Sequence, residues 1–183
     1  MYHKSYRGPQ RGGGRSRFAV KKIDVSRYIN KAVITEEVPN FVPEHRFTDF
    51  LLDAKLKENI AKKGYADPMP IQDRIIPHIL RGEDVVGIAN TGTGKTAAFL
   101  IPLIDKIIKD KKAGVLIMVP TRELAQQITE EFRSFVVNLN IYGVACVGGV
   151  GLGAQIAELR RQPHFVIGTP GRLKDLLERK AFS

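Results

Sequence analysis

Cysteine is almost absent from the 183 residues: Cys146 stands alone, which excludes an intramolecular disulfide framework. Histidine is scarce too, and His3, His45, His78 and His164 give no zinc ligand set at a recognised spacing. Acid is missing from Met1 to Lys22, a stretch that carries Lys4, Arg7, Arg11, Arg15, Arg17, Lys21 and Lys22. The same N-terminus lacks the apolar core of a signal peptide, so the cytosol (cytoplasmic localisation) is the expected compartment. Charge is also missing from Phe135 to Ala157, a run longer than the roughly 20 residues a spanning helix needs. Asn138, Asn140, Gln155 and the glycines at 143, 148, 149, 151 and 153 break that run into a helix end, a strand and a loop. No membrane association is expected from it.

What is present suits one globular domain with a hydrophobic core: 43% of residues are hydrophobic and the formal net charge is +10. The charge is unevenly placed. Without the seven bases of Met1 to Lys22, 22 bases face 19 acids. Residues 1–40 therefore read as a basic, Arg/Gly-rich flexible N-terminal extension, centred on Arg7-Gly8-Pro9-Gln10-Arg11-Gly12-Gly13-Gly14-Arg15. Guanidinium groups on such a backbone either neutralise phosphates and stack on bases, or merely keep the chain soluble; so short a tract leaves both readings open.

From Phe47 onward the pattern turns regular. Leu51, Ala54, Ile60 and Ala61 fit a helix ending at Gly64; a turn over residues 68–70 follows, then a second apolar helix face in Ile71, Ile75, Ile76, Ile79 and Leu80. Val85-Val86-Gly87-Ile88-Ala89 reads as a buried strand, Lys95 to Ile108 as a helix, Val115 to Val119 as a strand and Glu123 to Val137 as a helix. Segments 141–147, 152–159, 165–168 and 172–178 continue the alternation. Repeated strand-helix units imply an α/β domain whose parallel sheet carries helices on both faces.

The strongest chemical signal is Ala89-Asn90-Thr91-Gly92-Thr93-Gly94-Lys95-Thr96, set between an expected strand and a helix. Gly92 and Gly94 permit the backbone to turn so that successive N–H groups converge on phosphate oxygens, and the helix start adds partial positive charge. Lys95 is placed to bridge terminal phosphates, and Thr96 to offer a hydroxyl ligand to Mg²⁺. Ala89 stands where the strict pattern has glycine, a small-for-small exchange.

These motifs do not stand alone, and together they resemble the first RecA-like domain of the DEAD-box RNA helicases, a P-loop NTPase fold. Gly64-Tyr65-Ala66-Asp67-Pro68-Met69-Pro70-Ile71-Gln72 is similar to the family's Q motif, with Phe47 as its isolated upstream aromatic. Pro120-Thr121-Arg122-Glu123-Leu124-Ala125 is similar to motif Ia, Gly148-Gly149 to the GG motif and Thr169-Pro170-Gly171-Arg172 to motif Ib. The resemblance implies a partial helicase ATP-binding domain over 47–183, its Q motif lying within 47–75. It implies that ATP and Mg²⁺ are the cofactors, held by Phe47, Tyr65, Gln72 and the loop from Ala89 to Thr96, with Lys95 and Thr96 catalytic. It implies sequence-independent RNA contacts from Pro120, Thr121, Arg122, Gly148, Gly149, Thr169, Pro170, Gly171 and Arg172.

Each role has a physical reading and a plainer rival. A Gln amide can exchange two hydrogen bonds with the N6 and N7 edge of adenine, and Tyr65 can stack on the ring; equally, Gln72 can be a helix-surface residue and Tyr65 a core aromatic. Met69 departs from the hydroxyl residue usual in the resembled motif. Thr121, Arg122, Gly149, Thr169 and Arg172 all follow expected strands, at the carboxyl edge where open α/β sheets bind ligands. Thr121 alone reads as a helix N-cap, and Thr169-Pro170-Gly171 as a turn.

Phosphoryl transfer also needs an acid on Mg²⁺ and a residue that orients water. Asp105 belongs to the helix after the loop, about 15 Å from Lys95 at a helical rise of 1.5 Å per residue, and is on the wrong element. In the resembled family an Asp-Glu-Ala-Asp strand, a Ser-Ala-Thr motif and a second RecA-like domain lie further on, beyond Ser183. The expectation is a domain incomplete at its C-terminus, with uncovered sheet edges, that binds nucleotide without hydrolysing it. A non-catalytic RNA-binding module driven by the basic tail, and a different P-loop NTPase such as a DNA translocase, are the rival readings.

Overall fold

Asp53 starts the first helix by accepting the backbone N–H groups of Lys55 and Leu56 on its carboxylate, so α1 runs Ala54–Lys62. In this computed structural model residues 41–182 are described. The expected basic extension over residues 1–40 lies outside them. Leu51, placed on the first helix face by its spacing, is instead 85% exposed and precedes the helix, while Phe50 and Leu52 turn inward. The capping carboxylate, rather than apolar spacing, fixes the helix start.

α2 (Pro70–Leu80) begins on a proline, whose missing N–H costs nothing in a first turn. α3 (Lys95–Lys109) buries Ala97, Leu100, Ile101, Ile104 and Ile107. Then come β1 (Val115–Met118), α4 (Arg122–Phe135), β2 (Gly143–Cys146), α5 (Leu152–Leu159), β3 (Phe165–Gly168) and α6 (Pro170–Glu178). The strands form a parallel sheet in the order β1-β3-β2, with Val115 and Gly143 both in register with Phe165. Phe165 and Ile167 point into a core built with α1, α3 and α4, whereas Val166 joins Leu159, Leu173 and Leu176 from α5 and α6 on the other face. Helices thus cover both faces of the sheet, as the alternation predicts.

One expected element is corrected. The run Val85 to Ala89 pairs with no strand among the described residues, and Val86 and Ile88 are 91% and 92% exposed. A strand needs a neighbouring backbone to meet its N–H and C=O groups, and none adjoins this segment. An apolar cavity of about 440 Å³ lies there instead, with Val85 and Gly87 on its wall together with Ile117 and Met118 of β1. β1 is accordingly an edge, only partly buried at Val115 and Ile117, with Leu116 and Met118 half or more exposed. Uncovered sheet edge and apolar surface, expected from the sequence, are both present here.

Asp105 is fully buried on α3 and serves the scaffold. Its carboxylate accepts the Asp53 backbone N–H at 2.8 Å and pairs with Lys109 one turn later. Asn59 plays a similar part, donating both amide hydrogens to the carbonyls of Phe135 and Val137 and so closing the C-terminal end of α4. Among the described residues no helix is long and apolar enough to cross a membrane.

Candidate functional site

The loop from Ala89 to Thr96 leads directly into α3, whose N-cap is Gly94 in the left-handed region at φ +78°. Gly92 shares that conformation at φ +79°. Such angles disfavour any side chain, and at Gly94 a Cβ would also lie 2.3 Å from the Gln72 amide nitrogen. The loop is laced internally. The Thr93 hydroxyl donates to the Asn90 carbonyl at 2.8 Å, and the Lys95 ammonium folds back to donate to the carbonyls of Ala89 and Asn90. Thr91 sits in the exposed turn and Thr96 lies, half-buried, on the first turn of α3.

Gln72 is wholly buried beneath this loop. Its Oε1 accepts the Met69 backbone N–H at 2.9 Å, and its Nε2 donates to the Gly94 carbonyl at 3.1 Å. An amide has two donor hydrogens and two acceptor lone pairs, so one of each remains after these bonds. Gln72 lines an open cavity of about 310 Å³ with Tyr65, Lys63, Asp67, Met69, Gly92 and Gly94. Tyr65 is a wall of that cavity, but its ring also packs edge-on against Phe47 and Phe135, and its hydroxyl donates to Glu131 at 3.1 Å. Burial, with the Glu131 carboxylate beside it, pushes the phenol up to about 12. Lys63 completes the cluster by binding Glu131 and Ser134 while lying over the Phe135 ring. Phe47, expected at the nucleotide, is 4% exposed and stands behind Tyr65 in the core rather than on the cavity wall.

The second group converges at the carboxyl edge of the strands. Pro120, Thr121, Arg122, Gly148, Thr169, Gly171 and Arg172 line one open cleft of about 600 Å³, together with the carboxylates of Glu123 and Asp175. Thr121 caps α4, its hydroxyl accepting the Leu124 N–H at 3.2 Å, so its plainer role is real. Thr169 is the N-cap of α6 without using its side chain, and Pro170 is the first helical residue. The Arg122 guanidinium lies on the Gly148-Gly149 backbone: a Cβ at Gly149, where φ is +80°, would be 2.3 Å from Nη1. Arg172 reaches back to the Val150 carbonyl and to Gln155, which sequence reasoning did not assign. The cue for Gln155 was its polarity within an uncharged, otherwise apolar and Gly-rich stretch. Cys146 is fully buried near Arg172; burial pushes its thiol up to about 11 and Arg172 only partly opposes this, which leaves it a packing residue.

The donor set fits a polyphosphate: an ammonium, a helix N-terminus and backbone N–H groups gathered by two left-handed glycines. It fits Mg²⁺ only through the Thr96 hydroxyl, which suffices for an ion that keeps most of its waters. No carboxylate lines the cavity that contains Lys95 and Thr96. Among the described residues no group of three His, Cys, Asp or Glu side chains is placed to hold a metal by itself. Pro120 borders both that cavity and the cleft at the strand ends, so the two groups of residues adjoin.

Comparison with known proteins places this geometry. The chain is 43% identical over 141 residues to an ATP-dependent rRNA helicase RRP3 of Meyerozyma guilliermondii, covering 76% of this chain and 30% of that protein. It is 45% identical over 140 residues to the ATP-dependent RNA helicase DeaD of Klebsiella pneumoniae, covering 74% of this chain and 22% of the relative. The crystal structure of a DEAD box protein from the hyperthermophile Methanococcus jannaschii superposes with a TM-score of 0.71 at 36% identity, over 75% of this chain and 38% of that one. The chain thus spans less than two fifths of the length of each of these proteins. Residues 69–183, from the residue ahead of α2 onward, match the DEAD/DEAH box helicase family, and the fold is its RecA-like domain. The chain belongs to the DEAD-box helicases.

Proposed function

We propose that this domain binds Mg·ATP on the loop from Ala89 to Thr96 and RNA backbone on the cleft at the strand ends, as the nucleotide-binding half of an ATP-dependent RNA helicase. The observation that supports the reading is that the cavity holding Lys95 and Thr96 and the cleft holding Arg122 and Arg172 share Pro120 on their walls, so the phosphate loop and the strand-end arginines adjoin. Mg²⁺, when bound, screens the phosphate charge. The protein's share is to hold the phosphates on backbone N–H groups, to turn the Lys95 ammonium from its own loop carbonyls onto them, and to offer the Thr96 hydroxyl.

The Gln72 donor and acceptor left over after Met69 and Gly94 match the N7 acceptor and N6 donor of adenine. Gln72 is fully buried and shares the wall of the open cavity with Met69, so a base that pairs with it must enter from that cavity. Tyr65 supplies the cavity wall, and Phe47 supports Tyr65 from behind. In the cleft, Arg122 and Arg172 supply charge-assisted donors for phosphate oxygens, while Thr169 offers a free hydroxyl. Guanidinium and hydroxyl donors of this kind suit phosphate and ribose rather than base edges, which supports sequence-independent contact.

With no carboxylate lining the cavity of Lys95 and Thr96 among the described residues, the proposed role of this domain is to bind nucleotide and leave it intact. Turnover and duplex unwinding belong to a longer polypeptide that adds the missing acid and a second domain, and the cytosol is its proposed compartment. The test is ATP hydrolysis by such a longer chain with and without single-stranded RNA. Stimulation by RNA is expected; equal rates overturn the helicase reading. RNA binding that is indifferent to ATP and vanishes on deletion of residues 1–22 would favour the tail-driven module instead.

A further inference from the structure

α5 buries two residues, the apolar Leu159 and the amide Gln155, which is only 4% exposed. A buried amide is costly unless both of its ends are satisfied. Both are. Nε2 donates to the Val147 carbonyl at 2.9 Å, and Oε1 accepts from Arg172 Nη1 at 3.0 Å. Arg172 Nη1 also donates to the Val150 carbonyl at 3.2 Å. Gly148-Gly149, the floor on which the Arg122 guanidinium rests, is therefore held on both sides: by Gln155 at Val147 and by Arg172 at Val150.

Guanidinium carries five N–H donors in a fixed plane, and Gln155 and Val150 engage only Nη1. The remaining donors stay available to the cleft that Arg172 lines. Resting on the RNA-backbone reading of that cleft, we infer that Gln155 is a positioning residue for RNA binding: it fixes the Arg172 guanidinium directly and the Arg122 guanidinium through the Gly148-Gly149 floor. It touches no phosphate itself. Its contribution is to order Arg172 before the ligand arrives, so that less side-chain freedom is lost on binding.

The experiment measures affinity of the full chain for a fluorescein-labelled oligouridylate at one fixed salt concentration, alongside Mg·ATP affinity. Gln155→Met keeps the length of the side chain and removes both hydrogen bonds. It is expected to weaken RNA roughly three- to tenfold, with Mg·ATP affinity unchanged. In an Arg172→Ala background the same change is expected to cost clearly less, a coupling that a general packing defect would not show. Gln155→Glu retains the acceptor for Arg172 but loses the donor to the Val147 carbonyl, so it is expected to weaken RNA less than Gln155→Met does. If Gln155→Met fails to fold, Gln155→Glu decides: a measurable loss smaller than that of Arg172→Ala supports the inference, and either no loss or a loss as large as that of Arg172→Ala overturns it. Wild-type RNA affinity in Gln155→Met, beside a weakened Arg172→Ala, overturns the inference and spares the RNA reading. Unchanged affinity in Arg172→Ala overturns the RNA reading of the cleft, and the inference with it.

Discussion

Replacing Gln72 by Leu keeps a similar side-chain volume and deletes both of its hydrogen bonds. The Met69 N–H then loses its partner and the Gly94 carbonyl keeps only the Ala98 N–H, in a part-buried setting. Leaving a buried polar group unmet costs about 1–3 kcal/mol, and here, with one carbonyl still paired and water within reach, the loss is about 1–2 kcal/mol. For a domain of this size that lowers the melting temperature by roughly 3–8 °C. The same change removes the donor and acceptor proposed to read adenine, a bidentate contact worth about 1–3 kcal/mol of discrimination. Thermal unfolding and paired titrations with Mg·ATP and Mg·GTP separate the two effects. The expected result is a lower melting temperature and a preference for ATP over GTP reduced about tenfold or more. A melting temperature within a degree of wild type would refute the buried hydrogen bonds. Equal losses for ATP and GTP would refute base reading and leave Gln72 as a strut under the loop.

Three other expectations follow from the geometry. Gly149→Ala puts a Cβ where Arg122 Nη1 lies and forces alanine to φ +80°, at a cost of about 1–2 kcal/mol. With the guanidinium displaced, RNA affinity should fall about tenfold in an anisotropy titration, and an unchanged curve would contradict the Arg122 assignment. Asn59→Ala strips the Phe135 and Val137 carbonyls of their donor and should cost about 2–3 kcal/mol in urea unfolding; a loss below about 0.5 kcal/mol would show that those bonds do not matter. Tyr65 is neutral in the folded chain until about 12, against about 10 when unfolded, so between those values the unfolded chain holds fewer protons. Stability should therefore be intact below pH 10 and fall as pH rises from 10 towards 12. Tyr65→Phe should remove that component of the alkaline loss, and an identical pH profile in both chains would refute it.

The sequence made the repeating helices and the paired strands legible because each carries its own local signal. Apolar spacing placed α1 and α3, while the Asp53 cap that sets where α1 starts went unread and the helix was begun too early, at Leu51. Val85 to Ala89 misled because a run of small and β-branched apolar residues records a tendency, whereas a strand exists only against a partner backbone. That partner is a non-local fact which no window of sequence contains. The site divides along the same line. Ala89 to Thr96 is contiguous, so its glycine-lysine-threonine spacing can be read without knowing the fold. The direction of Tyr65 towards Glu131, the position of Phe47 behind it and the service of Gln155 to Arg172 each join residues far apart in sequence. Those relations appear only after α4, α5 and the strand ends have been brought together.

If the Gly92-to-Thr96 backbone and the Lys95 ammonium form a polyphosphate site, isothermal titration of Mg·ATP into the chain yields saturable heat at one nucleotide per chain, and Lys95→Ala loses it. No heat from the unsubstituted chain, or the same heat from both, would contradict that assignment.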